Sequence, residues 1–215
     1  MASSSSVGND WIFSEQQLRS SCELGSWDKQ MEMRYKTIWF LEDMGKYLKC
    51  SRRIVSSASV YFHRFFVFHS FQTNDRFDVA LACLFLASKV EEWPVKLDVL
   101  ISARFNLRSP NAPSEMEFKE LLKNVLIKER ILLQTLNFDL IVQQPYEFVW
   151  NKIRELKARL PDRNDRDSLH QTSLQFVNDS YRSTIFLEFP SNKVGIACIF
   201  LAAVQLNLSP SNADP

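Results

Sequence analysis

Two ten-residue strings dominate the hydrophobic pattern. Residues 79–88 read VALACLFLAS and residues 194–203 read VGIACIFLAA, 115 positions apart (198 minus 83, cysteine to cysteine). Both are apolar nearly all round, which marks helices buried on every side rather than surface helices with one wet face. The first string runs on into Lys89 and the second into Val204. A repeat at a fixed offset predicts two copies of one helical unit, with a charge ending the central helix of the first only.

The pattern between the strings predicts the rest. Ser14 followed by Gln17 is a capping box for a short helix near 14–20, expected to lie outside the main body. Met33, Ile38, Leu41, Met44 and Leu48 share one face of a helix over 29–48. Ser51 caps a second helix to about Phe68, whose run of Val60, Tyr61, Phe62, Phe65, Phe66 and Phe68 marks a core helix. A third spans 75–92 and stops before Pro94, and a fourth spans 95–105. After a loop at 109–113, Ser114 caps a fifth that ends near Asn137. Pro145 reopens the series with helices at 146–160, 169–185 and 191–206, and a charged loop over 161–167. Only three helices follow Pro145, so the second unit is expected to be incomplete in this chain. The resulting division is a flexible segment at 1–28, a first unit at 29–142 and a second at 143–215.

Composition narrows the class. Four glycines in 215 residues leave few tight turns, in keeping with an all-α fold. The 26 basic residues are matched by 25 acidic ones, interspersed, which weighs against a broad nucleic-acid footprint or an anionic membrane surface. No apolar run reaches a bilayer span, and Met1–Asp10 is Ser-rich without a signal core. Cys22, Cys50, Cys83 and Cys198 show no C-x-x-C spacing, and His63, His69 and His170 stand at no ligand spacing to them. Reduced cysteines of an intracellular protein, and no metal, are the expectation. No nucleotide-binding or hydrolase motif is present, so a non-enzyme without cofactor or small-molecule substrate is expected.

Candidate chemistry sits on the fifth helix. Phe118, Leu122, Val125, Glu129, Leu132 and Leu136 fall on one face, and one of the six is a carboxylate. On the third helix Val79, Ala82 and Leu86 lead to Lys89 in the same way. A charge on an apolar stripe must be paired or turned to a partner. Spacing leaves two arrangements open. Lys89 and Glu129 could meet across adjacent helices; alternatively Lys89 could snorkel at its helix end while Glu129 pairs locally with Lys128 or Arg130. Lys89 to Pro94 reads as a solvated helix end on which Trp93 is exposed or folded back. Arg52-Arg53 reads as a solvated face, and His63-Arg64 as a satisfied pair in or beside the core.

FLASKVEE (85–92), LIKERILLQTLNFDL (126–140) and VYFHRFF (60–66) resemble the cyclin box, and the resemblance extends over about 11–208. ERILLQTLNFDL (129–140), QQPYEF (143–148) and FVNDS (176–180) are similar to the transcriptional branch of that family. The resemblance implies two tandem five-helix boxes. It also implies a nuclear regulatory subunit that binds and activates a cyclin-dependent kinase of the transcription-elongation type, acting on the C-terminal repeats of RNA polymerase II. Lys89 and Glu129 would bond to each other and to kinase backbone; Val90, Leu133 and Phe138 would pack on the kinase's regulatory helix. Met33-Arg34-Tyr35-Lys36-Thr37 matches the exposed substrate-docking patch of cell-cycle cyclins, but Lys36 and Thr37 replace its aliphatic pair, so docking of that kind is not expected. The alternative reading is a TFIIB-like nucleic-acid-binding adaptor with the same tandem fold, which the near-neutral charge disfavours.

Overall fold

A computed structural model describes residues 11–20, 26–108, 113–158, 160 and 162–208; the Ser-rich start, Cys22 and residues 109–112 of the expected loop lie outside them. The described residues form α-helices with one short 3₁₀ turn and divide into two compact units, Met1–Val142 and Gln143–Pro215.

In the first unit α1 is Glu15–Ser20, α2 Trp27–Tyr47, α3 Arg52–Phe68, α4 Arg76–Val90, α5 Leu97–Arg108 and α6 Glu115–Thr135. Ser26, Ser51, Asp75 and Ser114 each cap a helix by accepting a backbone N–H from its first turn. Helix α4 is the centre, with every residue from Val79 to Ser88 buried and α2, α3 and α6 packed around it. Phe62, Phe65, Phe66 and Phe71 fill the space beside it.

Glycine is scarce, so most helices end without it. Lys49, Glu92, Asn137 and Asn207 take the left-handed conformation instead (φ 47–57°). Each is followed by a residue whose N–H reaches the carbonyl five positions back, as Trp93 reaches Ser88 at 2.9 Å. This satisfies carbonyls that the helix end leaves open. Gly45 is required for a different reason. A Cβ there would stand 2.4 Å from Val55 Cγ2, so α2 and α3 touch backbone to side chain. Gly45→Ala is expected to destabilise the protein by about 1–3 kcal/mol, and adding Val55→Ala should recover part of that loss in thermal melts.

Several expectations about the chain's organisation change, and Phe68, expected in the core, is 60% exposed. The helix at 15–20 does not stand off the body. Leu18 is buried, Trp11 and Phe13 meet Phe68 edge-on, and Trp11 Nε1 donates to Asp139 Oδ2 at 2.9 Å. The aromatic residues ahead of the capping box supply apolar area that the polar helix lacks. The helix expected at 95–105 is shifted to Leu97–Arg108. In the second unit the expected charged loop over 161–167 is largely helix, because Asp162 accepts the Asn164 N–H and starts α8 there.

That unit comprises α7 (Tyr146–Glu155), a 3₁₀ turn at Leu156–Ala158, α8 (Arg163–Ser180), the short α9 (Ile185–Glu188) and α10 (Ser191–Gln205). The 3₁₀ turn closes α7 before the expected Leu160, and α8 stops at Ser180 rather than Ile185. Helix α10 packs on α8 and α7 as α4 packs on α3 and α2. The likeness is incomplete. Leu81 and Phe85 are 0% and 8% exposed on α4, whereas Ile196 and Phe200, 115 positions later, are 54% and 66% exposed. On α4 the helix α6 lies alongside. Among the described residues α10 has no such neighbour.

Candidate functional site

The end of α4 is clamped before its side chains are considered. Ser88 is fully buried; its Oγ donates to Phe85 O (2.7 Å) and accepts the Val95 N–H (3.2 Å), closing the turn through Pro94. Glu91 is not freely solvated, as the sequence suggested, but accepts from Ser57 Oγ at 2.7 Å and Arg53 Nε at 3.2 Å. Arg53 therefore reaches across to α4, although its side chain stays largely exposed. These bonds fix the backbone that carries Lys89.

Helix α6 begins with a full capping box between Ser114 and Glu117 and lays Val125, Leu132 and Leu136 into the core. Glu129 sits among them. Lys89 Nζ donates to Glu129 Oε1 at 2.6 Å and lies 3.8 Å from the centre of the Phe85 ring. The local pairing that spacing left open does not occur, since Lys128 donates to Asn74 Oδ1 instead. The pair is unequally wet. The Glu129 side chain is 12% exposed and that of Lys89 42%. The carboxylate is thus oriented by the protein, while the ammonium keeps N–H donors free towards solvent.

Val90 follows Lys89 directly, and Leu133 stands one turn beyond Glu129 on α6. Val90 and Leu133 are half-buried against the core. Phe138 is 69% exposed and held at φ 58°, in the left-handed region, just past the end of α6. A large side chain in that conformation is strained. The bonds Phe138 N–H to Leu133 O (3.1 Å) and Asp139 N–H to Leu136 O (2.8 Å) impose it. The structure adds residues that periodicity did not single out. Trp93 is 64% exposed, resolving its open position, and Leu126 is 44% exposed. Leu122, Leu126, Ile127 and Arg130 border a shallow cavity of about 300 Å³ on the outer side of α6. Leu126 and Ile127 were missed because the buried stripe identifies the inner face of a helix, not its outer one, while Leu122, expected on that stripe, borders the cavity.

The stretch matched to a docking patch behaves differently from an exposed motif. Arg34 and Thr37 are buried, and Thr37 Oγ1 donates back to Met33 O. Arg34 is a structural bolt. Its Nη1 lies 3.2 Å from His63 Nδ1 and donates to His63 O, and its Nη2 donates to Phe66 O at 2.7 Å. Because a guanidinium only donates, His63 Nδ1 accepts. Arg64 lies over the Trp11 ring, and burial lowers its pKa to about 10 despite the Asp139 carboxylate. His63 and Arg64 are therefore core and rim residues. Among the described residues no three His, Cys, Asp or Glu side chains gather as a metal donor set, and no helix is long and apolar enough to cross a membrane. Cys83 is a buried thiol, its pKa pushed up by desolvation.

Residues 11–141 match the family model for the cyclin N-terminal domain. The chain belongs to the cyclin family. This cyclin is 34% identical over 200 residues to human cyclin K, covering 89% of the chain and 33% of the relative. It is 32% identical over 221 residues to a cyclin T1-3 of Oryza sativa, covering 97% and 44%, so it spans less than half the length of either. These K and T types are the branch to which the sequence resemblance pointed. Its fold matches a chain of the yeast RNA polymerase II CTD kinase complex CTDK-1 with a TM-score of 0.81 at 21% identity, over 92% of this cyclin and 63% of that chain. A chain of the CAK complex of Chaetomium thermophilum matches at 0.73 and 20%, over 91% and 66%.

Proposed function

We infer that this cyclin is a nuclear, non-catalytic regulatory subunit that binds and activates a cyclin-dependent kinase of the transcription-elongation type. The substrate of that kinase would be the C-terminal repeats of RNA polymerase II. The observation that carries the reading is the Lys89–Glu129 pair, preformed on α4 and α6, with Val90 and Leu133 next along those helices and Phe138 exposed past the end of α6. Cyclin K and cyclin T relatives, and the likeness to a chain of a polymerase CTD kinase complex, support the class of partner.

The chemistry required of the surface is modest. A kinase is active when its regulatory helix is swung inward to complete a Lys–Glu ion pair and its activation loop is ordered. A cyclin achieves this by binding the inward arrangement more tightly than the outward one. Phe138 and Leu133 offer apolar area to such a helix, and the free donors of Lys89 can satisfy its terminal carbonyls.

The test is direct. The full chain, mixed with recombinant elongation-type and cell-cycle-type kinases, should be retained by the former and raise its phosphorylation of a C-terminal-repeat peptide. Retention by neither class sinks the reading. Phe138→Ala should weaken that association by tenfold to a hundredfold, since burying a phenyl ring is worth about 1.5–3 kcal/mol. Its melting temperature should hardly move, because the ring is exposed in the free protein.

A further inference from the structure

At the other end of α4, far from the candidate kinase contact, three arginines converge on two phenylalanines. The guanidinium carbons of Arg76, Arg104 and Arg108 lie 4.7, 5.6 and 3.6 Å from the centre of the Phe77 ring. Those of Arg104 and Arg108 also lie 5.6 and 5.3 Å from Phe40, which meets Phe77 edge-on at 5.2 Å. Among the described residues none of the three makes an ion pair or a hydrogen bond. Arg104 Nε is buried and without a partner. Burial and then the neighbouring Arg108 lower the Arg104 pKa; burial and then Arg76 lower that of Arg108.

The nearby carboxylates attract the cluster without forming an ion pair with it: Asp75 favours the charged forms of Arg104 and Arg108, and Asp78 that of Arg104. Asp75 Oδ1 accepts the Phe77 and Asp78 N–H groups as the cap of α4, and Asp78 Oδ2 accepts from Asn124. Glu32 is bound to Lys36. Three guanidiniums are thus gathered on ring faces beside two carboxylates that make no ion pair with them, and a further anion would relieve the repulsion left between the cations. A guanidinium fork pairs bidentately with phosphate oxygens, and three forks match a dianion with three acceptor oxygens. Chain-wide charge is balanced at 26 to 25, and the cluster is a point rather than a track. This charge distribution suits one phosphate group rather than a polyanion, which needs an extended basic stripe.

We propose that Arg76, Arg104 and Arg108 form a docking site for a phosphorylated serine or threonine of a protein partner. Arg76 and Lys89 are 13 residues apart on α4, about 20 Å at 1.5 Å per residue, so a kinase and a phosphoprotein could be held at once. The site stands whether or not the kinase reading does.

The Nε–Hε NMR signals of the full chain provide the test, titrated at about 0.1 M salt with a phosphoserine peptide of otherwise neutral sequence. Parallel arms use the unphosphorylated peptide, inorganic phosphate, duplex DNA and phosphatidylserine vesicles. The Arg104 and Arg108 signals should shift with the phosphopeptide. Arg104→Gln and Arg108→Gln should each weaken its binding at least tenfold, and Arg104→Lys by less, since it keeps charge but loses the fork. Lys46→Gln, on exposed α2 surface, should change it less than twofold. Arg108 is exposed, so its variant keeps the test open if Arg104→Gln fails to fold. The proposal is overturned if the plain peptide or inorganic phosphate binds as tightly, if DNA or vesicles bind more tightly, or if folded Arg108→Gln binds like the parent.

Discussion

Lys89→Ala and Glu129→Ala should each weaken binding to the proposed partner kinase by about 2–5 kcal/mol, the range for truncating one member of a desolvated charge pair at an interface. Thirty-fold or more in dissociation constant is the expected reading by calorimetry. The two variants should not be equivalent in the free protein. Removing Lys89 strands a carboxylate that is 12% exposed, costing about 1–3 kcal/mol of stability. Removing Glu129 leaves an ammonium already 42% exposed, which water can solvate, so its stability loss should come mainly from packing on α6. The double variant separates the cases. If the pair acts as a unit, Lys89→Ala with Glu129→Ala binds little worse than either alone, and the coupling energy is large. Additive losses would mean that the two residues reach the partner independently, and wild-type binding by both single variants would remove the site altogether.

The second large effect concerns Arg34, which touches no proposed partner. Its guanidinium takes the carbonyls of His63 and Phe66 at the bent end of α3, where Phe66 has left helical geometry at ψ 15°. Arg34→Ala removes these charge-assisted bonds, strands two carbonyls and opens a cavity under Phe71. The expected cost is about 3–5 kcal/mol, a fall of roughly 10 °C in melting temperature. Arg34→Lys should recover only part, because an ammonium cannot span both carbonyls as the planar fork does. A melting temperature within about 2 °C of wild type for Arg34→Ala would show that the end of α3 needs no such bolt. Kinase binding by folded Arg34 variants should stay near wild type, which distinguishes this role from a part in the kinase contact.

How much of the site was legible in the sequence differs by residue. Glu129 stood out because five apolar neighbours at steps of three and four shared its face, and Lys89 because its repeat partner is Val204. Their pairing was left open by spacing, which records the face a residue occupies and not which helix lies opposite. Arg104 and Arg108 gave no signal. Both lie on α5, and only the packing of α5 near α2 and α4 brings them to Phe40 and Phe77. The burial of Arg34 gave no signal for the same reason, since it depends on the bend in α3 some thirty residues later.

By itself the sequence determined the helices, their caps and the duplicated central element. These follow from local hydrogen bonding and from which face of each helix is apolar. Tertiary structure alone decided which charges meet, which is wet and which is dry, and which make no ion pair. Those properties depend on distances between segments tens of residues apart, and on solvent exclusion that no periodicity encodes.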